Sequence, residues 1–248
     1  MLVNRIVLIV ITFILMITLS LLIKNTVIAG IITFVLVIIS YLIIAYIRVK
    51  RRLSLLEENC DPQAFIEATE KQMLITGRKP KINSYLSIDL AAGLISMGEF
   101  HKATELLLNI DKSHLSVKNG TLLVYTINLI VALYELGEIS KAEELFEKQI
   151  PLLPPVNRGM RLSMKILVAE RLFFLNRYEE SREQFMELLN EKLSKRKRLG
   201  ILHTLAQIDE KTGEIVSALE KYKEVVKDGN KLWIATEARR QLEEISKK

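Results

Sequence analysis

Apolar residues at the start of the chain form two nearly unbroken runs, at positions 6–23 and 26–47. Lys24 and Asn25 separate the runs, and the first acidic residue of the chain is Glu57. As helices the runs would measure ~27 Å and ~33 Å, close to the roughly 30 Å of hydrocarbon in a bilayer. The pattern therefore predicts two membrane-spanning helices in an N-terminal hairpin, with both ends on one face of the membrane.

A cleaved signal peptide is the alternative interpretation of the first run. Signal peptides carry an apolar core of about 7–15 residues, followed by small residues at the cleavage site. The first run has 18 residues and leads into Leu-Leu-Ile-Lys-Asn, which offers no such site. We therefore expect the first run to remain in the chain.

Basic residues flank this predicted hairpin almost entirely on one side. Only Lys24 lies at the turn, whereas the flank consists of Arg5, Arg48, Lys50, Arg51 and Arg52. The positive-inside rule places such a flank in the cytoplasm. We therefore expect a multi-pass protein of the cell membrane (plasma or inner), with both termini and the C-terminal domain facing the cytoplasm.

The chain after residue 52 has a helical pattern throughout. Apolar residues recur at steps of three and four, and no stretch alternates with the period of two that marks a half-buried strand. Asp61 and Pro62 fit a helix N-cap and first helical position, so residues 53–82 are predicted to be a linker and a first capping helix that ends near residue 76. A second capping helix is predicted within residues 229–248. The fold class is all-α.

An internal repeat organises residues 83–228. Its turns are 39, 39 and 37 residues apart and carry Gly98, Gly137, Asn176 and Gly213. Five positions after each turn residue comes a small residue, and nine positions after it a large apolar one: Ala103, Ala142, Ser181 and Ala218, then Leu107, Phe146, Phe185 and Tyr222. Each turn residue is expected to end a helix in the left-handed conformation, and each small residue to let two helices approach closely.

These positions resemble the tetratricopeptide repeat (TPR), a helix–turn–helix unit of about 34 residues. The resemblance implies a TPR-like α-solenoid of about four helix pairs between two capping helices, following the transmembrane hairpin. The chain departs from the family in two ways. It lacks the aromatic residue expected early in each first helix, and its spacing exceeds the family's by three to five residues.

The resemblance also implies a concave groove lined by the first helix of each pair. In the first three pairs this groove is mainly apolar, so we expect it to bind an amphipathic helix or apolar peptide of a protein partner. The alternative occupants are the chain's own helix at 62–76, the end of the second apolar run, or a second copy in a homodimer. The resemblance implies that the groove is lined by the second, fifth, sixth, ninth and twelfth positions of each first helix. These positions are Tyr85, Ile88, Asp89, Ala92 and Ile95 in the first pair, Val124, Ile127, Asn128, Val131 and Tyr134 in the second, Ser163, Ile166, Leu167, Glu170 and Phe173 in the third, and Gly200, His203, Thr204, Gln207 and Glu210 in the polar fourth pair.

Net charge restricts the class of partner. The chain has 35 Lys and Arg against 29 Asp and Glu, and six of the cations flank the two apolar runs. The remaining cations equal the acids, so the basic balance indicates contact with the lipid bilayer and no nucleic-acid binding. The basic cluster at 195–198 is interpreted as balanced by acids at 183–191, with a second membrane contact or an acidic partner as the alternative.

The sequence carries no motif for catalysis, a cofactor or a metal. His101, His114 and His203 lack metal-ligand spacing, and Cys60 is the only cysteine, so no intrachain disulfide can form. We therefore predict a membrane-anchored scaffold or adaptor, not an enzyme, that binds proteins at the cytoplasmic membrane surface. The alternative is an integral subunit of a membrane complex, whose hairpin makes the specific contacts and whose repeats act as a spacer.

Overall fold

The computed structural model of the chain describes residues 2–23, 25–76 and 79–247. Across these residues it contains twelve α-helices and no strand, which confirms the all-α prediction. Two 3₁₀ turns, Lys112–His114 and Ile150–Leu152, follow the fifth and seventh helices. The helices are α1 (Leu2–Leu22), α2 (Thr26–Glu57), α3 (Pro62–Thr76), α4 (Pro80–Ser96), α5 (Phe100–Leu108), α6 (Thr121–Glu135), α7 (Ile139–Gln149), α8 (Arg158–Phe174), α9 (Tyr178–Leu189), α10 (Lys195–Thr212), α11 (Ile215–Asp228) and α12 (Trp233–Ile245).

The chain divides into two compact units, residues 1–51 and residues 52–248. Among the residues that the structure describes, one helix is long and apolar enough to cross a membrane, Val27–Glu57. The described side chains of α1 form a shorter apolar helix, Ile9–Leu22. Length and composition therefore support one candidate span, while the second span and the hairpin stay predictions.

The second apolar helix is longer than the sequence pattern predicts. It continues past the predicted boundary at residue 52 and ends at Glu57. Val49, Leu53 and Leu56 keep apolar positions at helical spacing, and no Gly or Pro interrupts the stretch. The predicted linker is therefore short, and Asp61 caps α3 by accepting a hydrogen bond from the Ala64 N–H at 3.0 Å.

One residue of the predicted basic flank is paired with a carboxylate. Arg48, Lys50 and Arg51 are exposed, but Arg52 is only 12% exposed and belongs to the second unit. Its guanidinium donates to the Asp89 carboxylate at 2.7 Å and to the Thr69 hydroxyl at 2.9 Å. A neighbouring helix therefore supplies a counter-charge to Arg52, and the membrane-flanking role of the predicted basic residues stays a prediction. The side chain of Arg5, like Lys24, lies outside the described residues.

The second unit is built from four helix–turn–helix pairs, α4–α5, α6–α7, α8–α9 and α10–α11. Each of the four predicted turn residues has a positive φ, which confirms the predicted left-handed helix ends. In the first turn, the Glu99 N–H donates to the Leu94 carbonyl at 2.9 Å, and the other three turns repeat this bond. The φ angles are 80°, 75°, 61° and 86° at Gly98, Gly137, Asn176 and Gly213.

The predicted small positions lie where the helices approach most closely. All four of them are fully buried, as are three of the four large positions, and Phe146 is partly buried. The Ser181 hydroxyl donates to the Ala169 carbonyl at 2.8 Å, so its polar atom is satisfied inside the core. The first helices pack in succession, α4 on α6, α6 on α8 and α8 on α10, while α3 and α12 cover the outer helix pairs.

The second unit brings its N-terminal and C-terminal parts into contact through residues 52–61, which we name the closure segment. Cys60 in this segment is fully buried in an apolar cluster with residues of α10, α11 and α12. The Lys231 N–H donates to the Cys60 carbonyl at 3.2 Å, and the Lys231 ammonium lies 2.8 Å from the Asp61 carboxylate. Phe100 and Trp233 meet edge to face with ring centroids 5.3 Å apart. The concave face is therefore bounded on both sides by the chain itself.

Candidate binding cavity

A cavity of about 170 Å³ opens on the concave face of the second unit. The first helices of all four pairs line it, together with the start of α5 and the residues around the start of α12. Eight predicted groove positions are among its lining residues: Ile95, Val131, Glu170, Phe173, Gly200, His203, Thr204 and Gln207. The remaining lining residues are Ser96, Phe100, Glu135, Phe174, Arg196, Leu232, Trp233 and Ile234.

Four predicted groove residues are in the core and not on the cavity wall. Ile88, Ile127, Tyr134 and Leu167 are 3%, 8%, 1% and 0% exposed, so their side chains are not accessible to a partner. The Tyr134 ring stacks on Phe174 at 4.8 Å between centroids, and its hydroxyl donates to Glu143. Helical periodicity identified the concave face of the first helices. It did not distinguish the side chains that line this face from those that are buried against the neighbouring helix pair.

The other predicted positions lie along the same helices, outside the cavity lining. The Asn128 amide donates to the Ile88 carbonyl at 3.3 Å, and the Tyr85 hydroxyl accepts from the Asn119 amide at 3.2 Å. Ala92 and Ile166 are partly buried, and Ile166 packs against the core beneath α8 and α10. These four residues extend the concave face on either side of the cavity without forming its wall.

Two carboxylates in the cavity, Glu135 and Glu170, carry the main electrostatic feature of the site. Neither makes a hydrogen bond or an ion pair within the described part of the chain. Burial raises the pKa of Glu135 to about 7, and the charge of Glu237 adds to this effect. Burial, with the charge of Glu135, raises the pKa of Glu170 to about 8 although Arg196 opposes the shift. Both side chains remain partly exposed because they face the cavity.

His203 is a third polar group in the cavity wall. Its side chain is 3% exposed, and Nε2 is buried without a hydrogen-bond partner in the described residues. Trp233 and Tyr222 contact the imidazole edge to face, with centroid distances of 5.5 Å and 6.0 Å. Burial lowers the pKa of His203 to about 4, so the ring is neutral at physiological pH.

Arg196 is the only cation among the lining residues described here, and the closure segment already engages it. Its Nε and Nη2 both donate to the Glu57 carboxylate, at 3.0 Å and 2.6 Å, and Ser194 donates to the same carboxylate. Burial alone would raise the pKa of Glu57, but Arg196 and Ser194 hold it below its ordinary value. Arg196 is therefore the counter-charge of Glu57 and leaves Glu170 without one.

The rest of the basic cluster at 195–198 is also balanced within the second unit. Lys195 lies 3.1 Å from Asp228, and Arg198 lies 2.9 Å from Glu224. The Lys197 ammonium donates to the Ser163 hydroxyl at 2.9 Å. The predicted balance is correct, but the acids come from the closure segment and α11 and not from residues 183–191.

Sequence reasoning missed Glu135, the second carboxylate of the cavity. Glu135 is the last residue of α6 and follows the twelfth position of the predicted groove pattern by one residue. The equivalent residues of the first and third pairs, Ser96 and Phe174, also line the cavity. A thirteenth groove position, repeated in three pairs, was therefore available in the sequence.

No protein family, curated protein or solved structure matches the chain. The class that the structure defines is an all-helical protein with one candidate membrane span and four helix pairs around a carboxylate-bearing cavity. Its function must therefore be inferred from the cavity itself.

Replacing Glu170 with Gln is expected to stabilise the folded protein at high pH. The folded-state pKa of about 8 exceeds the ordinary 4.5, so ionisation of Glu170 penalises folding increasingly as pH rises between these values. We expect Glu170→Gln to raise the free energy of unfolding by about 1–3 kcal/mol near pH ~9 and to change it little near pH ~5. Urea unfolding of the full chain in detergent, followed by fluorescence of the single tryptophan, measures both.

The matched control is Glu220→Gln, because Glu220 is an exposed carboxylate on α11. It should leave the free energy of unfolding nearly unchanged at both pH values. Equal effects of the two variants would show that the Glu170 carboxylate is solvated as an ordinary surface group, contrary to this description.

Proposed function

We propose that the chain is a membrane-anchored, TPR-like scaffold or adaptor that binds a protein partner at the cytoplasmic membrane surface. The observation that carries the proposal is the cavity, where four helix pairs converge on two carboxyl groups that make no hydrogen bond or ion pair with the described residues. Ionisable groups with displaced pKa values in a concave, largely apolar site are typical of ligand-binding surfaces. The cavity therefore supports a binding function for the second unit.

Three features of the second unit support its TPR-like character. Residues with positive φ end the first helix of every pair, small residues are fully buried five positions later, and the first helices line the concave face. In a repeat stack each pair contacts mainly its neighbours, as the succession of α4, α6, α8 and α10 does here. These features are local requirements of a helix-pair stack, so they support the assignment independently of overall sequence similarity.

Burial in the first unit supports the proposed hairpin. Both helices belong to one compact unit, and each has one face that is less exposed than the rest. On α2, Ala29 is fully buried and Thr33 is 4% exposed, with the Thr33 hydroxyl donating to the Ala29 carbonyl at 2.8 Å. Small residues at such positions let helices pack closely in lipid. On α1, the less exposed face carries Thr12, Leu15 and Leu19.

The chain's own closure segment occupies part of the predicted groove. Arg52 pairs with Asp89 on α4, and Cys60 packs against α10. The sequence left the end of the second apolar run open as an alternative occupant of the groove. The contacts of Arg52 and Cys60 support this alternative for the outer part of the concave face. The partner's binding site is accordingly proposed at the cavity and not along the full length of the groove.

The proposed topology is tested with cysteines placed at positions 2, 25 and 246. The native Cys60 is fully buried, so it should contribute little background. In intact cells, a membrane-impermeant maleimide should label Asn25→Cys but neither Leu2→Cys nor Ser246→Cys, and permeabilisation should expose all three. Labelling of only one of Leu2→Cys and Ser246→Cys in intact cells would exclude the hairpin, and labelling of both would exclude the cytoplasmic orientation.

Partner binding is tested by photocrosslinking from the cavity in intact membranes. A photoreactive residue in place of Phe173, which lines the cavity, should give a defined intermolecular product. The matched control is the same photoreactive residue in place of Val216, which is 74% exposed on α11 and outside the cavity lining. Only intrachain products from position 173, or identical products from both positions, would argue against the scaffold function.

A further inference from the structure

We propose that the cavity binds the ammonium or guanidinium group of a basic side chain of the partner, between Glu135 and Glu170. The inference rests on the function proposed above and specifies the chemistry that the partner must present. It goes beyond the sequence expectation of an apolar peptide, because the described structure places negative charge at the centre of the concave face.

The cavity contains two carboxyl groups that lack a counter-charge in the described residues. Glu135 on α6 and Glu170 on α8 line the same cavity, and neither has a hydrogen-bond or ion-pair partner in the described residues. Arg196, the one cation in the described lining, is held by Glu57 through two hydrogen bonds. A buried carboxylate is stabilised by an opposite charge that also donates hydrogen bonds, and ammonium and guanidinium groups do both.

The cavity wall also contains a nitrogen, His203 Nε2, that has no hydrogen-bond partner in the described residues. This side chain is more than nine-tenths buried, yet it belongs to the cavity wall and its Nε2 has no partner in the described chain. Burying an imidazole nitrogen without a hydrogen bond destabilises the folded protein, and a bound ligand can supply the missing hydrogen bond. His203 therefore indicates, independently of the carboxylates, that the cavity takes a polar group.

The walls and the volume of the cavity also suit a basic side chain. Phe100, Phe173 and Trp233 contribute aromatic rings, whose faces attract cations and whose surface fits an aliphatic stem. The cavity volume of about 170 Å³ suits one extended side chain and excludes a helix. A lysine or arginine side chain has both the charged head and the apolar stem that these walls require.

Binding of a cation should depend on pH in a defined direction. At least one of Glu135 and Glu170 must be ionised to neutralise the single charge of the ligand, and at pH 6 both are largely protonated because their pKa values are about 7 and about 8. The other charged groups near them are already compensated or neutral: Arg196 by Glu57, Glu237 by Arg240, and His203 by burial. Affinity is therefore expected to rise from about pH 6 to about pH 9, with release of protons on binding.

The test uses the full chain in detergent micelles and two pairs of probes. The free cations are butylammonium and butylguanidinium, and the peptides are acetyl-Ala-Leu-Lys-Leu-Ala-amide and the same peptide with Gln in place of Lys. Fluorescence of Trp233, the single tryptophan and a lining residue, reports binding, and calorimetry measures the released protons. We expect the Lys peptide to bind at least about tenfold more tightly than butylammonium and than the Gln peptide.

The variants separate cation recognition from a general loss of structure. The double variant Glu135→Gln/Glu170→Gln should weaken Lys-peptide binding by more than about tenfold, while Glu220→Gln should leave it unchanged. Both Gln replacements remove an unfavourable charge, so the double variant is expected to fold, and its unfolding curve verifies this. Equal affinity of the double variant and the unsubstituted protein for the Lys peptide, or no pH dependence, would overturn the proposal.

Two further outcomes distinguish this inference from the scaffold function on which it rests. If the crosslink from position 173 persists in the double variant, a partner binds there but a basic side chain is not what the cavity recognises. If butylammonium binds as tightly as the Lys peptide, the site takes free amines, and the claim of a partner side chain is wrong. The proposal stands only if the crosslink and the Lys-peptide affinity are lost together.

Discussion

The ion pair between Glu57 and Arg196 is the interaction on which both the shape and the charge of the second unit depend. It ties the closure segment to α10 with two hydrogen bonds, 139 positions apart in sequence. It also holds the Arg196 guanidinium at Glu57, so Arg196 does not offset the effect of burial on Glu170, whose pKa stays at about 8. This partly buried pair thus helps to close the concave face and leaves Glu170 without an ion-pair partner in the described residues.

Another buried carboxylate shows that the cavity differs from an ordinary structural network. Asp209 on α10 is 2% exposed, and it accepts hydrogen bonds from Ser217 at 2.7 Å and from Lys221 at 2.6 Å. Arg182 lies 3.3 Å from its second oxygen, so charge and hydrogen bonds from α9 and α11 compensate it. Asp209 therefore stabilises the packing of helix pairs, whereas Glu135 and Glu170 lack such partners and are better explained by a ligand.

The parts of the fold that follow local rules were predictable from the sequence. Gly98, Gly137, Asn176 and Gly213 were identified because a left-handed helix end restricts the residue type wherever it occurs, and the repeat presents it four times. The α3 boundaries followed from the same kind of local chemistry at Asp61 and Pro62. The candidate cavity was predicted in part, since eight of the predicted groove positions line it.

Long-range contacts explain what the sequence did not reveal. The role of Arg52 depends on Asp89, and the burial of Cys60 depends on helices more than a hundred residues later. Ile88, Ile127 and Tyr134 share the helical period of the groove residues, but packing against neighbouring helices buries them. Glu135 was missed because its role depends on the convergence of α6 with α8 and not on its own neighbours in sequence.

Double-mutant cycles test most directly whether Arg196 belongs to Glu57 and not to Glu170. The full chain in detergent, unfolded with urea and followed by Trp233 fluorescence, gives the coupling free energy of each pair of substitutions. We predict about 1–3 kcal/mol of coupling between Glu57→Gln and Arg196→Gln, and less than about 0.5 kcal/mol between Glu170→Gln and Arg196→Gln. A larger coupling for the second pair would place the arginine at the cavity carboxylate and contradict both the closure and the proposed cation site.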